Sequence, residues 1–212
     1  FTDDAFANVS TLPKPNDVDT EISSSDYTRG QAFYDLPIEV DSNDNLFVGG
    51  IDLFRSKDEG NTWTQISKWS NNNNLATLQV PQVHADHHAI VFRPGKGNEG
   101  QAVFGTDGGI YYTPDINEAT TSLSITARNT NYNVTQLYYG SIAPETSNEI
   151  LLTGTQDNGT LISQNSSTGA NNFDNFYSFI SGDGSYSEID QDGGGITGRG
   201  EHMIVGSTFL TY

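Results

Sequence analysis

Short alternating runs of apolar and polar residues, each closed by glycine or another turn residue, recur along the chain. Four of them share one layout: a short apolar strand, a glycine, a small or polar turn, then a second strand. They are Leu46–Ser56, Ala102–Thr113, Leu151–Ser163 and Met203–Tyr212, with Gly49, Gly105, Gly154 and Gly206 in equivalent places, 49 to 56 residues apart. Period-two alternation over a handful of residues is the mark of a strand with one buried face. The i, i+3, i+4, i+7 spacing of an amphipathic helix is absent over any three turns.

A repeat of this length made only of strands predicts an all-β, β-propeller segment of four-stranded antiparallel blades. Naming the strands A to D from the axis outward, the first blade is Ala32–Val40, Asn45–Gly49, Ile51–Ser56 and Thr62–Ser67. The second is Asp86–Phe92, Gln101–Gly105, Gly109–Thr113 and a strand near Ser122–Ala127. The third is Val134–Ile142, Glu149–Gly154, Gly159–Ser163 and Phe176–Ile180. A fourth opens with Ser185–Ile189 and runs through His202–Gly206 and Thr208–Tyr212. The corresponding divisions are an irregular segment or end of a preceding blade over 1–31, a blade over 32–67, a polar insertion over 68–82 containing Asn71–Asn74, blades over 83–130 and 131–181, and an incomplete blade over 182–212. Propellers close with about four to eight blades, so the expectation is a segment of a larger propeller, whose remaining blades would be its first partners.

Composition narrows the chemistry. The net charge is −18, from 27 acidic and 9 basic residues. Such a surface repels nucleic acid and anionic membranes and suits cations or neutral ligands. There is no cysteine, which removes disulfides, thiolate catalysis and thiolate-bound zinc. No run approaches the ~20 apolar residues of a membrane helix.

Three clusters carry candidate chemistry. Ser56, Asp58, Gly60, Thr62 and Trp63 fit the Asp-box pattern Ser-x-Asp-x-Gly-x-Thr-Trp. In such a turn Asp58 accepts from turn amides, Gly60 takes a positive φ, and Trp63 packs back between adjacent sheets. The pattern marks a hairpin, not an activity. The run Val83–Phe92 holds three of the four histidines. Strand alternation would put His84, Asp86 and His88 on one face with Ile90 and Phe92, and His87 on the other. At about 3.3 Å per residue the three polar groups span about 13 Å, too far for one ion without a bend. The turns between strands B and C carry Asp107, Gln156 and Asp157. In a meander these turns share a face with the entry to strand A, which carries His84 and Asp86 in one blade and Asp183 in another. Together with His88 these six polar residues form the expected ligand rim, with the Asp box on the opposite face. Oxygen-rich turns of this kind also make Ca²⁺ a candidate cofactor.

Catalysis has thinner support. Glycoside hydrolysis needs two carboxyls at a set separation, and Asp86, Asp107, Asp157 and Asp183 are the candidates. The five arginines, Arg29, Arg55, Arg93, Arg128 and Arg199, are dispersed, so a carboxylate-binding arginine triad is hard to assemble.

The stretches Phe33–Asp41, Val48–Ser56, the Asp box, Val83–Ala89, Gly105–Tyr112, Asn133–Tyr138 and Gly154–Thr160 resemble a sortilin/BNR-type propeller. They are closest to modules of large secreted bacterial surface proteins and more distantly similar to xyloglucanase-like propellers. The resemblance spans about residues 32–190 and decays after Asp190. The resemblance implies an extracellular module with seven or more blades in one or two propellers, and implies no activity. The dispersed arginines and the lack of a catalytic motif favour a non-catalytic role in adhesion, glycan binding or protein scaffolding at a bacterial cell surface, with a glycan or another surface protein as partner. The alternative is part of a secreted glycoside hydrolase using the rim carboxylates as acid and base.

Overall fold

The computed structural model describes residues 7–18, 26–69, 78–95, 97, 99–119, 121, 124–132, 134–143, 150–164, 176–191 and 202–207. The chain divides into two compact units, Phe1–Tyr132 and Asn133–Tyr212. Among the described residues each is built of strands and turns, with a short 3-10 turn at Ile116–Glu118 whose start is capped by the Asp115 side chain.

The first unit holds two four-stranded antiparallel meanders. One is β1 (Ile38–Val40), β2 (Leu46–Gly49), β3 (Leu53–Ser56) and β4 (Thr64–Gln65). The next is β5 (His87–Phe92), β6 (Ala102–Thr106), β7 (Gly109–Thr113) and β8 (Thr126–Ala127). The second unit holds a meander of β9 (Leu137–Ile142), β10 (Ile150–Thr155), β11 (Gly159–Gln164) and β12 (Phe176–Ile180), and a two-stranded sheet of β13 (Gly184–Ile189) and β14 (Met203–Ser207). Neighbours in sequence are neighbours in every sheet, the order that the strand–turn–strand repeat predicts. The strand expected at Thr208–Tyr212 and the Asn71–Asn74 run lie outside the described residues.

Several expected strands are shorter than the alternation implied, β3, β8 and β9 among them, and at β1 and β4 the reasons are local. β1 begins at Ile38, not Ala32. Pro37 has no N–H to give the ladder, and Gly30 at φ +84° with the bonds Gln31 N to Thr28 O and Tyr34 N to Gln31 O turns the chain through 28–34. β4 covers Thr64–Gln65 because Thr62 spends its amide and hydroxyl on Asp58.

The sheets of the first unit pack on Phe47, Leu53, Ile66, Val83, Ile90 and Phe104. In the second unit Ala143, Leu152, Ile162 and Ile189 make a smaller core between its two sheets. At Gly49 and Gly154 the repeated glycine has a packing reason, which Gly105, whose Cβ would meet only Ala89 Cβ at 3.5 Å, does not share. A Cβ on Gly49 would stand 2.8 Å from both His87 Cβ and Pro37 Cγ, and one on Gly154 would collide with the Ser185 carbonyl. Both sites are where the first strand of the following sheet crosses the second strand of the preceding one.

Residues 7–18 form no strand and lie along the first sheet. Val18 N donates to Gln65 Oε1 (3.1 Å) and Trp63 Nε1 to Pro13 O (2.8 Å). Trp63 therefore clamps the N-terminal segment instead of packing between sheets. Behind it, buried Gln65 and Ser67 donate to buried Asp52 at 3.1 and 3.3 Å. Burial, with Asp17 adding to it, pushes the Asp52 carboxyl up to about 8.

Gly154→Ala is expected to destabilise the protein by about 1–3 kcal/mol, the cost of overpacking a closed contact. Gly140 lies in the same sheet with nothing within 4 Å of its built Cβ. Gly140→Ala should be neutral or slightly stabilising. Urea unfolding of both variants checks the contrast.

Candidate binding site

The Ser56–Trp63 turn closes as its residues require. Ser56 Oγ accepts from Gly60 N at 2.8 Å and donates to Asp58 Oδ1 at 2.8 Å. Asp58 accepts from Thr62 N and Thr62 Oγ1 at 2.8 and 2.7 Å, and the Thr62 hydroxyl holds its carboxyl below the usual range. Gly60 sits at φ +88°. The Ser56, Asp58 and Thr62 side chains are spent on the turn itself, which makes it a structural device.

The candidate rim residues fall into two groups, one in each unit. In the first, the β6–β7 turn and the entry to β5 meet: Asp107 N donates to Asp86 O at 3.2 Å. Strict alternation from His84 to Phe92 is broken twice. Asp86 lies at φ +62°, in the left-handed region that Asp tolerates better than most residues. A register shift between His87 and Ala89 then adds a bulge. His84 and His88 are exposed as expected, but Ile90 turns inward on the other face, so His88 and Ile90 do not share one. His87 is buried, with its amide on Gly50 O (3.0 Å) and neither ring nitrogen partnered. Burial drives its imidazole down to about 3, so it is neutral.

His88 Nε2 donates to Asp107 Oδ1 at 2.5 Å. The same carboxylate receives the Tyr34 hydroxyl at 3.1 and 3.2 Å, and the Tyr34 ring stands edge-on to His88 at 4.7 Å. Gln31 Nε2 donates to Asp86 Oδ1 at 3.0 Å. Asp35, 0% exposed, lies beneath with neither carboxyl oxygen hydrogen-bonded. Burial first and the Asp86 carboxylate second push it up to about 7, with His88 pulling the other way. The 28–35 turn thus supplies three residues, Gln31, Tyr34 and Asp35, that an alternating strand from Ala32 concealed. Pro37 was the signal that the strand starts later. Tyr34, 42% exposed, puts aromatic surface next to this carboxylate, and Phe33, its neighbour in sequence, is 90% exposed.

In the second unit the β10–β11 turn meets the entry to β13. Asp157 N donates to Asp183 Oδ1 at 2.9 Å, and Gln156 N to Gln136 O at 3.1 Å. Asp157 lies at φ +59° and Gly159 at +77°. Turn and entry therefore meet in each unit, as a meander requires.

The first unit also has two concavities. One of about 320 Å³ is lined by Asp41, Phe92, Arg93 and Glu99; the other, about 550 Å³, by Pro13, Pro15, Tyr27, Leu36 and Trp63. Neither of these two is lined by Asp107 or His88. Among the described residues no three His, Asp or Glu side chains converge as a metal site, and no helix is long and apolar enough to cross a membrane. Comparison of the chain with protein-family models and with curated proteins finds no match to either.

The shifted groups fix a pH dependence. Native Asp35 and Asp52 hold protons that the unfolded chain has released above its ordinary carboxyl value of 3.8, up to about 7 and about 8. Each therefore lowers stability as pH rises through that window. Native His87 refuses a proton the unfolded chain takes between about 3 and 6.5, so it raises stability as pH rises there and has no effect above. Stability should fall from pH 6.5 to 8, and Asp35→Asn or Asp52→Asn should each flatten that fall. Urea midpoints at pH 6.5 and 8 in chelator check it; an unchanged slope in both variants would contradict it.

Proposed function

We propose that this chain is part of a sortilin/BNR-type β-propeller, that its meanders are blades, and that it binds neutral glycan without catalysis at a cell surface. On this reading the Ser56–Trp63 turn is an Asp box. The all-β meanders, each following the last in chain order, support the architecture. The Tyr34–Asp107 face carries the functional reading: an exposed tyrosine, with exposed Phe33 next to it in sequence, beside a carboxylate oriented by His88 and the Tyr34 hydroxyl. Sugar rings offer apolar C–H faces to aromatic surfaces and hydroxyls to a fixed acceptor. The net charge of −18 favours neutral over acidic glycans.

The hydrolase alternative draws less from this unit. A carboxyl raised to about 7 next to an ionised one is the pattern of an acid and its partner. But Asp35 is fully buried, out of reach of a glycosidic oxygen. Asp107 is committed to Tyr34 and His88, and in the other unit Asp183 to the Asp157 amide.

A panel of neutral and acidic oligosaccharides should yield binders among the neutral ones. Phe33→Ala and Asp107→Ala should each weaken binding at least about tenfold, which corresponds to about 1.4 kcal/mol, and no hydrolysis should accompany it. Capture of a protein ligand with no glycan binding would favour the scaffolding role. Hydrolysis lost in Asp107→Asn would favour the enzyme.

A further inference from the structure

We propose that Asp35 and Asp86 form a site for a hard divalent cation, Ca²⁺ by its chemistry, which braces the 28–35 turn against the entry to β5. The inference does not depend on what binds the face above it. Its starting point is an imbalance. The Asp35 carboxyl is 0% exposed and neither oxygen has a hydrogen-bond partner. An unpaired buried carboxylate is among the costliest groups a fold can carry. Its neighbour makes matters worse, since the second influence raising it is the Asp86 carboxylate. The two carboxyls are within hydrogen-bonding reach of one another, so a shared proton or a bound cation lies between them.

The donor set points to a metal ion rather than to a side chain. Among the described residues the positive charge acting on Asp35 is His88, and His88 is engaged with Asp107. The groups in place are oxygens: both Asp35 oxygens, the Asp86 carboxylate, and a Gln31 amide whose nitrogen already donates to Asp86 Oδ1. Asp86 is held at φ +62°, a backbone state that costs an ordinary residue, and this aims its carboxyl at the 28–35 turn. Oxygen-only, carboxylate-based sites select Ca²⁺ over zinc or copper. No three His, Asp or Glu side chains converge among the described residues, so water would complete the shell. Two carboxylates place the affinity in the weak range of extracellular modules, dissociation constants of about 10⁻⁴ to 10⁻³ M. The overall charge of −18 concentrates cations at the surface.

The test uses the whole chain. Tb³⁺ replaces Ca²⁺ in such sites, and Tyr34, next in sequence to Asp35, is positioned to sensitise its emission. Tb³⁺ luminescence that Ca²⁺ competes away at about millimolar concentration, with a rise in melting temperature reversed by chelator, is the expected result. Asp35→Asn and Asp86→Asn should each abolish the luminescence while the circular dichroism of the folded chain is kept, and Asp157→Asn in the other unit should leave it intact. If neither ion changes luminescence or melting up to about 10 mM, the two carboxyls share a proton and the proposal is wrong. A response surviving in both Asp35→Asn and Asp86→Asn would overturn it equally, by putting calcium elsewhere.

Discussion

The close approach of one sheet to the next at a glycine governs the rest of this structure. At Gly49 and Gly154 the first strand of the following sheet crosses so near that a single methyl group would collide with His87 and Pro37, or with the Ser185 backbone. Interiors this tight tolerate no added volume. The glycine therefore fixes which strand of the next sheet lies innermost and at what height. With apolar residues making up only 34% of the chain, the sheets rely on this fit and on buried hydroxyls as much as on aliphatic packing. Thr153, Thr155, Thr160, Ser163 and Ser187 are all buried in the second unit.

The candidate site follows from that constraint. Because β5 enters beside Gly49, with its first amide bonded to Gly50 O, the residues just before it are delivered to the β6–β7 turn. Asp86 is forced into a left-handed conformation, a bulge follows, and His88 comes out facing Asp107. The 28–35 turn then closes over the entry, with Gln31 on Asp86, Tyr34 on Asp107, and Asp35 buried underneath. One strand crossing thus produces an exposed aromatic–carboxylate face above the buried Asp35 carboxyl and its half-buried partner Asp86. Structural and functional roles divide cleanly in the first unit: the Ser56–Trp63 turn satisfies itself, whereas the Asp35–Asp86 pair does not.

Much of this was legible in the residues. The strand order, the B–C strands of each meander within about two residues, and the meeting of Asp107 with Asp86 and of Asp157 with Asp183 follow from period-two alternation and from meander geometry. The losses came where local chemistry overrides alternation. Alternation from Ala32 to Val40 ran across Pro37 and so hid a turn carrying Gln31, Tyr34 and Asp35. Parity counting failed at His88 and Ile90 because it assumed an extended Asp86 and no bulge. Trp63 was expected between sheets and instead holds Pro13, because an N-terminal segment without periodicity gives no sign of where it docks. The buried state of Asp35 has no sequence signature at all; it depends on which sheet packs over it.

The most direct test of this account is a crystal structure of the protein with a bound neutral oligosaccharide. The account predicts a sugar ring lying on Phe33 and Tyr34 with a hydroxyl donating to Asp107. A sugar seated instead in the groove lined by Pro13, Tyr27 and Trp63, with the Tyr34–Asp107 face bare, would contradict it.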